Sequence, residues 1–344
     1  MACDTPVPEL RERRKRLFSG AMFQSALFYN GDSTKGGSNA FRYFSGCDID
    51  GSYLVLQNKG GALLTNEMNY PLAKKLSKYP VKLLGRNAVQ QIKKAAGRGK
   101  VGFAANEFTC ARYSALKRKT HLHFINLGEK AMAVRGKKSS FEMVKIKAAA
   151  TLTRKMLDGL DPWECKTEEE LHAHLKMLAL ERGAEISFEP IVSTGKNTRF
   201  PHYSAGEVKL TDNVLVDFGV KLNGYCGDLT RCYFRKGGSK EERTYEKCHG
   251  IFDEILYSLQ DCKMGSDVSS LGRKLMKENG LPDLAHAIGH GIGMEVHEYP
   301  HLGRKSKDLL NGAALAIEPA AYFSNYGVRY EDMVANAKGK WARI

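Results

Sequence analysis

Long apolar runs, paired cysteines and an apolar leader are all missing from this 344-residue sequence. No window approaches the roughly eighteen consecutive apolar residues that a membrane-spanning helix needs, so a membrane-spanning helix is excluded. The first eighteen residues are dominated by Glu and Arg, which argues against a secretory signal. The eight cysteines are scattered and form no C-x-x-C pair, a pattern that predicts reduced thiols in a cytoplasmic protein.

Acidic residues are scarce in the N-terminal part of the chain. Residues 1–137 contain 24 Lys and Arg against 9 Asp and Glu, whereas residues 138–344 contain 29 of each. The net charge of +15 therefore belongs to the N-terminal region alone. Such a region can attract nucleic acid or another polyanion. Because the bases are dispersed and no nucleic-acid motif accompanies them, we expect a solvated basic surface without a nucleic-acid partner.

The chain is long enough for two domains, and its patterns divide it in two. Up to about residue 130, short apolar runs alternate with helix-like stretches, which predicts an α/β layer structure over residues 1–133. The polar, turn-rich segment 134–140 (VRGKKSS) is the predicted linker. Helices and strand-like runs, among them Val328–Val334, predict an α+β domain over residues 141–344. Its first helix starts with a capping-box spacing between Ser139 and Glu142.

The segment from Val214 to Phe234 predicts a β-hairpin that brings two carboxylates together. Asn223-Gly224 lies between two β-prone runs and is the strongest short signal for a two-residue type I′ turn. In that register Asp217 lies opposite Thr230, and Asp228 is a diagonal neighbour on the same face. Two carboxylates that converge on one face repel each other unless a proton or a cation separates them. Solvent-facing aspartates are the alternative reading, but Asp is disfavoured within an apolar strand.

Three further segments offer ligands of the same kind. His290 lies in a glycine-rich stretch, Glu318 ends an apolar run before Pro319, and Glu331 follows Val328-Arg-Tyr. With Asp217 and Asp228, these residues form a hard, oxygen-rich set with one imidazole. Such a set suits Mn, Co, Fe or Zn rather than a thiolate site.

These five positions, in this order, resemble the ligands of the pita-bread metallopeptidases. The resemblance also covers His297 in MEVHE, His202 in PHY, and His286, which fits a supporting position. The stretch NAFRYFSG from Asn39 resembles the smaller N-terminal domain of the creatinase, prolidase and aminopeptidase P branch. The resemblance implies a pita-bread catalytic domain behind a creatinase-like α/β domain, two divalent ions (Mn or Co first, Zn or Fe next) and a homodimer.

Within that branch, the resemblance implies hydrolysis of Xaa-Pro peptide bonds. The short chain favours an Xaa-Pro dipeptidase (prolidase), and an aminopeptidase P that takes longer peptides is the alternative. A non-catalytic peptide- or polyanion-binding protein on the same scaffold is the rival from a different class. The sequence departs from some dipeptidases at His301, where they carry an arginine that grips the substrate carboxylate. Arg304, Arg329 or a basic residue of the N-terminal domain could take over that role, and the sequence does not choose among them.

The resemblance also implies roles for the remaining candidates. Glu318 would shuttle the proton of the attacking water, and His202 and His297 would stabilise the tetrahedral oxyanion and orient the leaving nitrogen. Strand geometry, rather than the resemblance, gives Arg329 its role: it lies two residues before Glu331, so in a strand it would share that face and orient a ligand carboxylate. Supporting positions are expected for Thr230, Tyr225 and His286.

Overall fold

The computed structural model describes residues 4–31 and 37–344. The chain divides into two compact units, Met1–Arg135 and Gly136–Ile344. The unit boundary lies within the segment 134–140, and the first three residues of that segment continue a helix. Cys3 lies outside the described residues, and the seven cysteines within them are all free. None of the helices in the described residues has the length and apolar character that crossing a bilayer requires.

The N-terminal unit is built around one six-stranded mixed sheet. Its strands are β1 Ser25–Asn30, β2 Ser52–Gln57, β3 Gly60–Thr65, β4 Val81–Leu83, β5 Lys100–Phe103 and β6 His123–Asn126. Its helices are α1 Val7–Phe18, α2 Asn39–Ser45, α3 Tyr70–Leu76, α4 Ala88–Ala96, α5 Cys110–Thr120 and α6 Gly128–Gly136. The strand order is β4-β3-β2-β1-β5-β6, in which β3 and β4, β1 and β5, and β5 and β6 run parallel. Apolar side chains of β1, β2 and β5 pack against α4 and α5 in the core.

The C-terminal unit combines four α-helices with several antiparallel sheets. Its helices are α7 Ser140–Asp158, α8 Glu168–Glu181, α9 Lys240–Ser258 and α10 Gly265–Glu278. Its first strands are β7 Glu185–Ile186, β8 Ile191–Thr194, β9 Asn213–Phe218, β10 Val220–Leu222, β11 Tyr225–Cys226 and β12 Leu229–Phe234. Its later strands are β13 Gly289–Gly291, β14 Glu298–His301, β15 Ala314–Ile317, β16 Ala320–Tyr322, β17 Gly327–Arg329, β18 Asp332–Ala337 and β19 Lys340–Arg343.

The strands of the C-terminal unit pair into separate sheets. The sheets have the orders β12-β9-β8, β11-β10-β7, β14-β13-β15-β18-β19 and β16-β17. Helices α9 and α10 pack on the apolar core through residues such as Phe252 and Val268, which meet Leu315 and Ile317 of β15. The capping box predicted at the start of α7 is present, because Ser139 and Glu142 exchange hydrogen bonds.

The run Val328–Val334 was predicted as a single strand, and that prediction is wrong. Strand β17 ends at Arg329 and β18 begins at Asp332. Between them the backbone turns to other partners, since Tyr330 N–H donates to the Pro319 carbonyl at 3.1 Å and Glu331 N–H donates to the Thr230 carbonyl at 3.3 Å. The break matters because it places Glu331 at a junction between sheets.

Candidate metal centre

The hairpin has the predicted turn and register. Asn223 and Gly224 have φ angles of 53° and 83°, as a type I′ turn requires. Asp217 lies opposite Thr230 in the β9–β12 ladder. Asp228, which was expected inside a strand, occupies the break between β11 and β12. Both aspartates are buried, with 8% and 4% of their surface exposed, so they are not the solvent-facing residues of the alternative reading.

An imidazole and a further carboxylate join Asp228 from two other segments of the chain. His290 lies in the middle of β13, and Glu331 lies between β17 and β18. The His290 Nε2 atom is 3.4 Å from Asp228 Oδ2 and 3.9 Å from Glu331 Oε1. One ligand atom from each of the three residues lies within 4.8 Å of the others, which is a spacing that one ion could bridge. All three residues are buried.

The fifth expected ligand, Glu318, follows β15 at the wall of the same cavity. Its backbone N–H donates to the Ile288 carbonyl at 2.9 Å, which ties it to the segment that carries His290. Its Oε2 lies 3.5 Å from His286 Nδ1. The cavity has a volume of about 800 Å³. The candidate residues that line it are Asp217, Asp228, His290, Glu318, Glu331, His202, His286, His297 and Arg329.

Arg329 connects two of these carboxylates. Its Nη2 donates to Asp217 Oδ2 at 2.6 Å, and its Nε donates to Thr230 Oγ1 at 2.9 Å. The Thr230 hydroxyl in turn donates to Glu331 Oε2 at 2.7 Å. A single buried guanidinium therefore fixes the orientation of Asp217 directly and that of Glu331 through Thr230. Guanidinium groups suit this task because their donors lie in a rigid plane.

Burial makes the charged forms of the carboxyls unfavourable. It raises the pKa of Asp228 well above its ordinary value, and the neighbouring charge of Asp217 raises it further. Burial likewise raises the pKa of Glu331 well above its ordinary value, with the charge of Asp228 as the next cause. Burial also raises the pKa of Asp217, which the guanidinium of Arg329 partly opposes. Because Arg329 supplies a single positive charge, a further cation would relieve this repulsion.

The residues fit a divalent metal. Asp217 Oδ1 is buried and has no hydrogen-bond partner among the described residues, although its Oδ2 is bound by Arg329. A buried carboxylate oxygen without a partner is unfavourable unless a ligand completes it. Carboxylate oxygens and one imidazole are the donors that Mn, Co, Fe and Zn accept.

The two other candidate histidines, His202 and His297, lie at the exposed side of the cavity. The ring centroid of His297 is 4.1 Å from that of His290. Desolvation lowers the pKa of His297, and the nearby His290 lowers it further. A neutral His297 at pH 7 can accept or donate a proton.

Three candidates are not brought to the cavity. Tyr225 is buried at the turn end of the hairpin, and its hydroxyl lies 3.4 Å from Glu142 Oε1. Arg304 is exposed and donates to Asp283 at 2.8 Å. His301 pairs with His290 through the backbone of β13 and β14, but its ring packs on Tyr299, with centroids 4.5 Å apart. These contacts do not support the supporting or substrate role expected of the three residues, and that role stays a prediction.

One residue of the site was missed by the sequence analysis. The Tyr322 hydroxyl accepts from Arg329 Nη1 at 2.9 Å and lies 3.2 Å from His286 Nε2. Burial raises the pKa of Tyr322 to about 12, so it remains protonated. The feature that could have revealed Tyr322 is the hairpin of β16 and β17, in which Ala320 pairs with Arg329. Tyr322 is two residues from Ala320 and so shares its face of the strand.

Buried carboxylates around one imidazole, in an α+β unit, define a carboxylate-rich metal site. Residues 144–336 match the metallopeptidase family M24, and residues 24–136 match the creatinase/prolidase N-terminal domain. The chain therefore belongs to the metallopeptidase family M24. This confirms the expected pita-bread resemblance and the fold of an α+β peptidase domain behind a smaller α/β domain.

Relatives and solved structures agree with this assignment. The chain is 31% identical to an uncharacterised peptidase of Methanocaldococcus jannaschii over 230 residues, 63% of this chain and 66% of the relative. It is 28% identical to the Xaa-Pro dipeptidase of Pyrococcus furiosus over 306 residues, 85% of this chain and 86% of the relative. It is also similar to the Xaa-Pro dipeptidase structure from Bacillus anthracis, with a TM-score of 0.85, 25% identity, and coverage of 98% of this chain and 97% of that one.

Proposed function

We propose that the chain is a two-metal exopeptidase that hydrolyses Xaa-Pro bonds, with Xaa-Pro dipeptides as its first substrate class. The observation that carries this proposal is the convergence of Asp217, Asp228, His290 and Glu331 in one cavity, where Asp217 Oδ1 has no hydrogen-bond partner within residues 4–31 and 37–344. Glu318 lines the same cavity. The substrate class comes from the Xaa-Pro dipeptidases to which the chain is similar.

Asp217, Asp228, His290, Glu318 and Glu331 would hold the ions, of which Mn or Co is expected first. When bound, these ions would lower the pKa of the attacking water and polarise the peptide carbonyl. The chain's own residues transfer the protons and hold the reacting groups in place. Glu318 accepts the proton of the attacking water on a carboxylate oxygen, because it lines the cavity and is only partly buried.

The leaving group of an Xaa-Pro bond is a secondary amine, which must be protonated before it departs. Glu318 can deliver that proton, since it received one from the water. His297 and His202 are exposed residues that line the cavity, where an imidazole N–H can stabilise the oxyanion. Arg329 and Thr230 hold the carboxylates in place during these steps and contact no substrate atom in this scheme.

The test combines a metal assay with a substrate panel. The protein, reconstituted with Mn²⁺ or Co²⁺, is expected to hold about two ions per chain and to cleave Ala-Pro and Met-Pro but not Ala-Ala. Asp228→Asn is expected to lose both bound metal and activity. A wild-type protein that binds no divalent ion and leaves Xaa-Pro bonds intact would favour the non-catalytic binding protein instead.

A second candidate is an aminopeptidase that removes the residue before proline from longer peptides. The cavity of about 800 Å³ exceeds what a dipeptide needs. Among its described lining residues the single Lys or Arg is Arg329, whose N–H groups already donate to Asp217, Thr230 and Tyr322. No other lining cation is available there for a dipeptide's terminal carboxylate.

Ala-Pro and a C-terminally amidated Ala-Pro-Ala distinguish the two candidates. A dipeptidase prefers the free dipeptide by at least tenfold in kcat/KM, whereas an aminopeptidase prefers the amidated tripeptide. The oligomeric state should be measured by light scattering on the same sample. A homodimer is expected, and a second chain could bring a cation to the cavity.

A further inference from the structure

An ion pair in the C-terminal unit is buried more completely than most of the metal site. Lys138 Nζ contacts Glu298 Oε1, and the two side chains are 0% and 2% exposed. Neither residue lines the cavity, and neither takes part in the chemistry described above. Glu298 nevertheless directly follows His297 in the chain. A fully buried ion pair this close to a catalytic candidate calls for a physical explanation.

The pair joins three segments of the chain. Lys138 precedes the cap of α7, and its backbone N–H donates to the Gly312 carbonyl at 2.8 Å. Glu298 pairs with Gly291 across β13 and β14, one residue from His290. The third segment is at Gly293, where an added Cβ would overlap both Glu298 Oε1 and Lys138 Nζ. A larger residue at this position would displace the charged ends of both side chains from their present contact.

The same segment reaches the aspartate hairpin. Cys226 N–H donates to the Gly293 carbonyl at 2.8 Å, and Cys226 lies two residues before Asp228. The ion pair thus fixes Glu298, which follows His297 and pairs with the strand that carries His290. Through Gly293 it also holds the segment that leads to Asp228. The pair lies where the segments that carry His290, His297 and Asp228 meet.

Stability alone does not account for such a pair. Removing two charges from water offsets most of their attraction, and an apolar pair of similar volume often folds as well or better. Its specific effect is directional, since the carboxylate and the ammonium hold their segments in one alignment. We propose that Lys138 and Glu298 are positioning residues, which hold His297 against His290 for the reaction. This proposal rests on the proposed Xaa-Pro hydrolysis.

The decisive variant replaces both charges with apolar side chains of similar length, Lys138→Met with Glu298→Met, so that neither charge of the pair stays buried without the other. Its matched control is Lys274→Met with Glu278→Met, which removes an exposed ion pair of α10. We expect the buried double variant to keep its bound metal and its melting temperature within about 4 °C of the wild type. We expect its kcat for Ala-Pro to fall at least tenfold with KM within threefold.

A second measurement, which does not depend on enzymatic activity, accompanies the kinetics. In the metal-free protein, the ring resonances of His297, assigned by comparison with His297→Asn, should shift in the buried double variant and not in the control. A kcat within twofold of the control, together with unshifted resonances, would overturn the proposal. If the wild type does not cleave Ala-Pro at all, the proposed function fails, and the resonances alone decide whether the pair positions His297.

A second variant covers the case in which the double variant does not fold. Glu298→Asp keeps the charge but shortens the side chain by one methylene, so the ion pair must stretch or pull its segments together. We expect a kcat at least fivefold lower at an unchanged melting temperature. A kcat equal to that of the wild type would contradict the positioning role.

Discussion

Thr230 lies directly opposite Asp217 in the β9–β12 ladder, yet its hydroxyl donates to Glu331, at 2.7 Å, and accepts from Arg329. Replacing Thr230 by Val keeps the shape but leaves Glu331 Oε2 and Arg329 Nε without this partner. Unsatisfied buried groups of this kind cost about 1–3 kcal/mol. We therefore expect Thr230→Val to weaken divalent-metal binding by about 10-fold or more, which is typical of residues that orient metal ligands.

Isothermal titration with Mn²⁺ and thermal melts measure these effects. Thr244→Val is the matched control, because the Thr244 hydroxyl is also buried and also has hydrogen-bond partners, at Lys240 and Tyr326, but lies outside the cavity lining. The control should lose stability without losing metal affinity. Equal metal affinities in both variants would show that Thr230 does not orient Glu331.

Arg329→Lys tests whether the two hydrogen bonds that the guanidinium group donates, to Asp217 and to Thr230, are needed. A lysine keeps the charge but cannot donate in two fixed directions at once, so one carboxylate loses its alignment. We expect kcat to fall by about 10–100-fold, the range for such supporting partners, with the fold intact by circular dichroism. A variant with wild-type kcat would mean that charge alone suffices at this position.

The raised carboxyl pKa values predict an unusual pH dependence for the metal-free protein. Because burial raises the pKa of Asp228 and of Glu331, the folded chain binds more protons than the unfolded chain above the ordinary value near about 4. These groups therefore contribute stability at low pH that is lost as the pH rises through the raised pKa values.

Thermal melts of chelator-treated protein between pH 5 and 8 measure this loss. Asp228→Asn removes one of the buried charges, so its melting temperature should fall less than that of the wild type over the same range. Divalent ions should restore the wild type at pH 8, and metal affinity should decrease as the pH falls because ligands must lose protons to bind. If the melting temperatures of the two proteins fall equally with pH, a raised pKa of Asp228 does not cause the loss of stability.

Arg304→Ala checks whether this arginine senses a substrate carboxylate. Arg304 is exposed, pairs with Asp283 and does not line the cavity. We expect kcat/KM for Ala-Pro to stay within twofold of the wild type, and the free energy of unfolding to change little, as for other exposed ion pairs. A tenfold rise in KM for Ala-Pro, with an amidated peptide unaffected, would restore Arg304 as the carboxylate sensor.

Local signals in the sequence determined much of this protein. The Asn223-Gly224 turn fixes the register that places Asp217 opposite Thr230, because a two-residue loop leaves one pairing. The Ser139–Glu142 spacing determines where α7 begins. Nothing local reported the break after Arg329, since it arises from hydrogen bonds to Pro319 and Thr230, which are distant in the chain.

Only the tertiary structure decided which candidates meet. It brings Asp228, His290 and Glu331 together from three segments that are distant in the chain: the break between β11 and β12, strand β13, and the break between β17 and β18. It directs Arg304 to Asp283 and the Tyr225 hydroxyl toward Glu142. Residue type and spacing predict which chemistry a side chain can perform. Which side chains share a cavity depends on the packing of segments that lie far apart in sequence, and the buried pair of Lys138 and Glu298 shows this dependence.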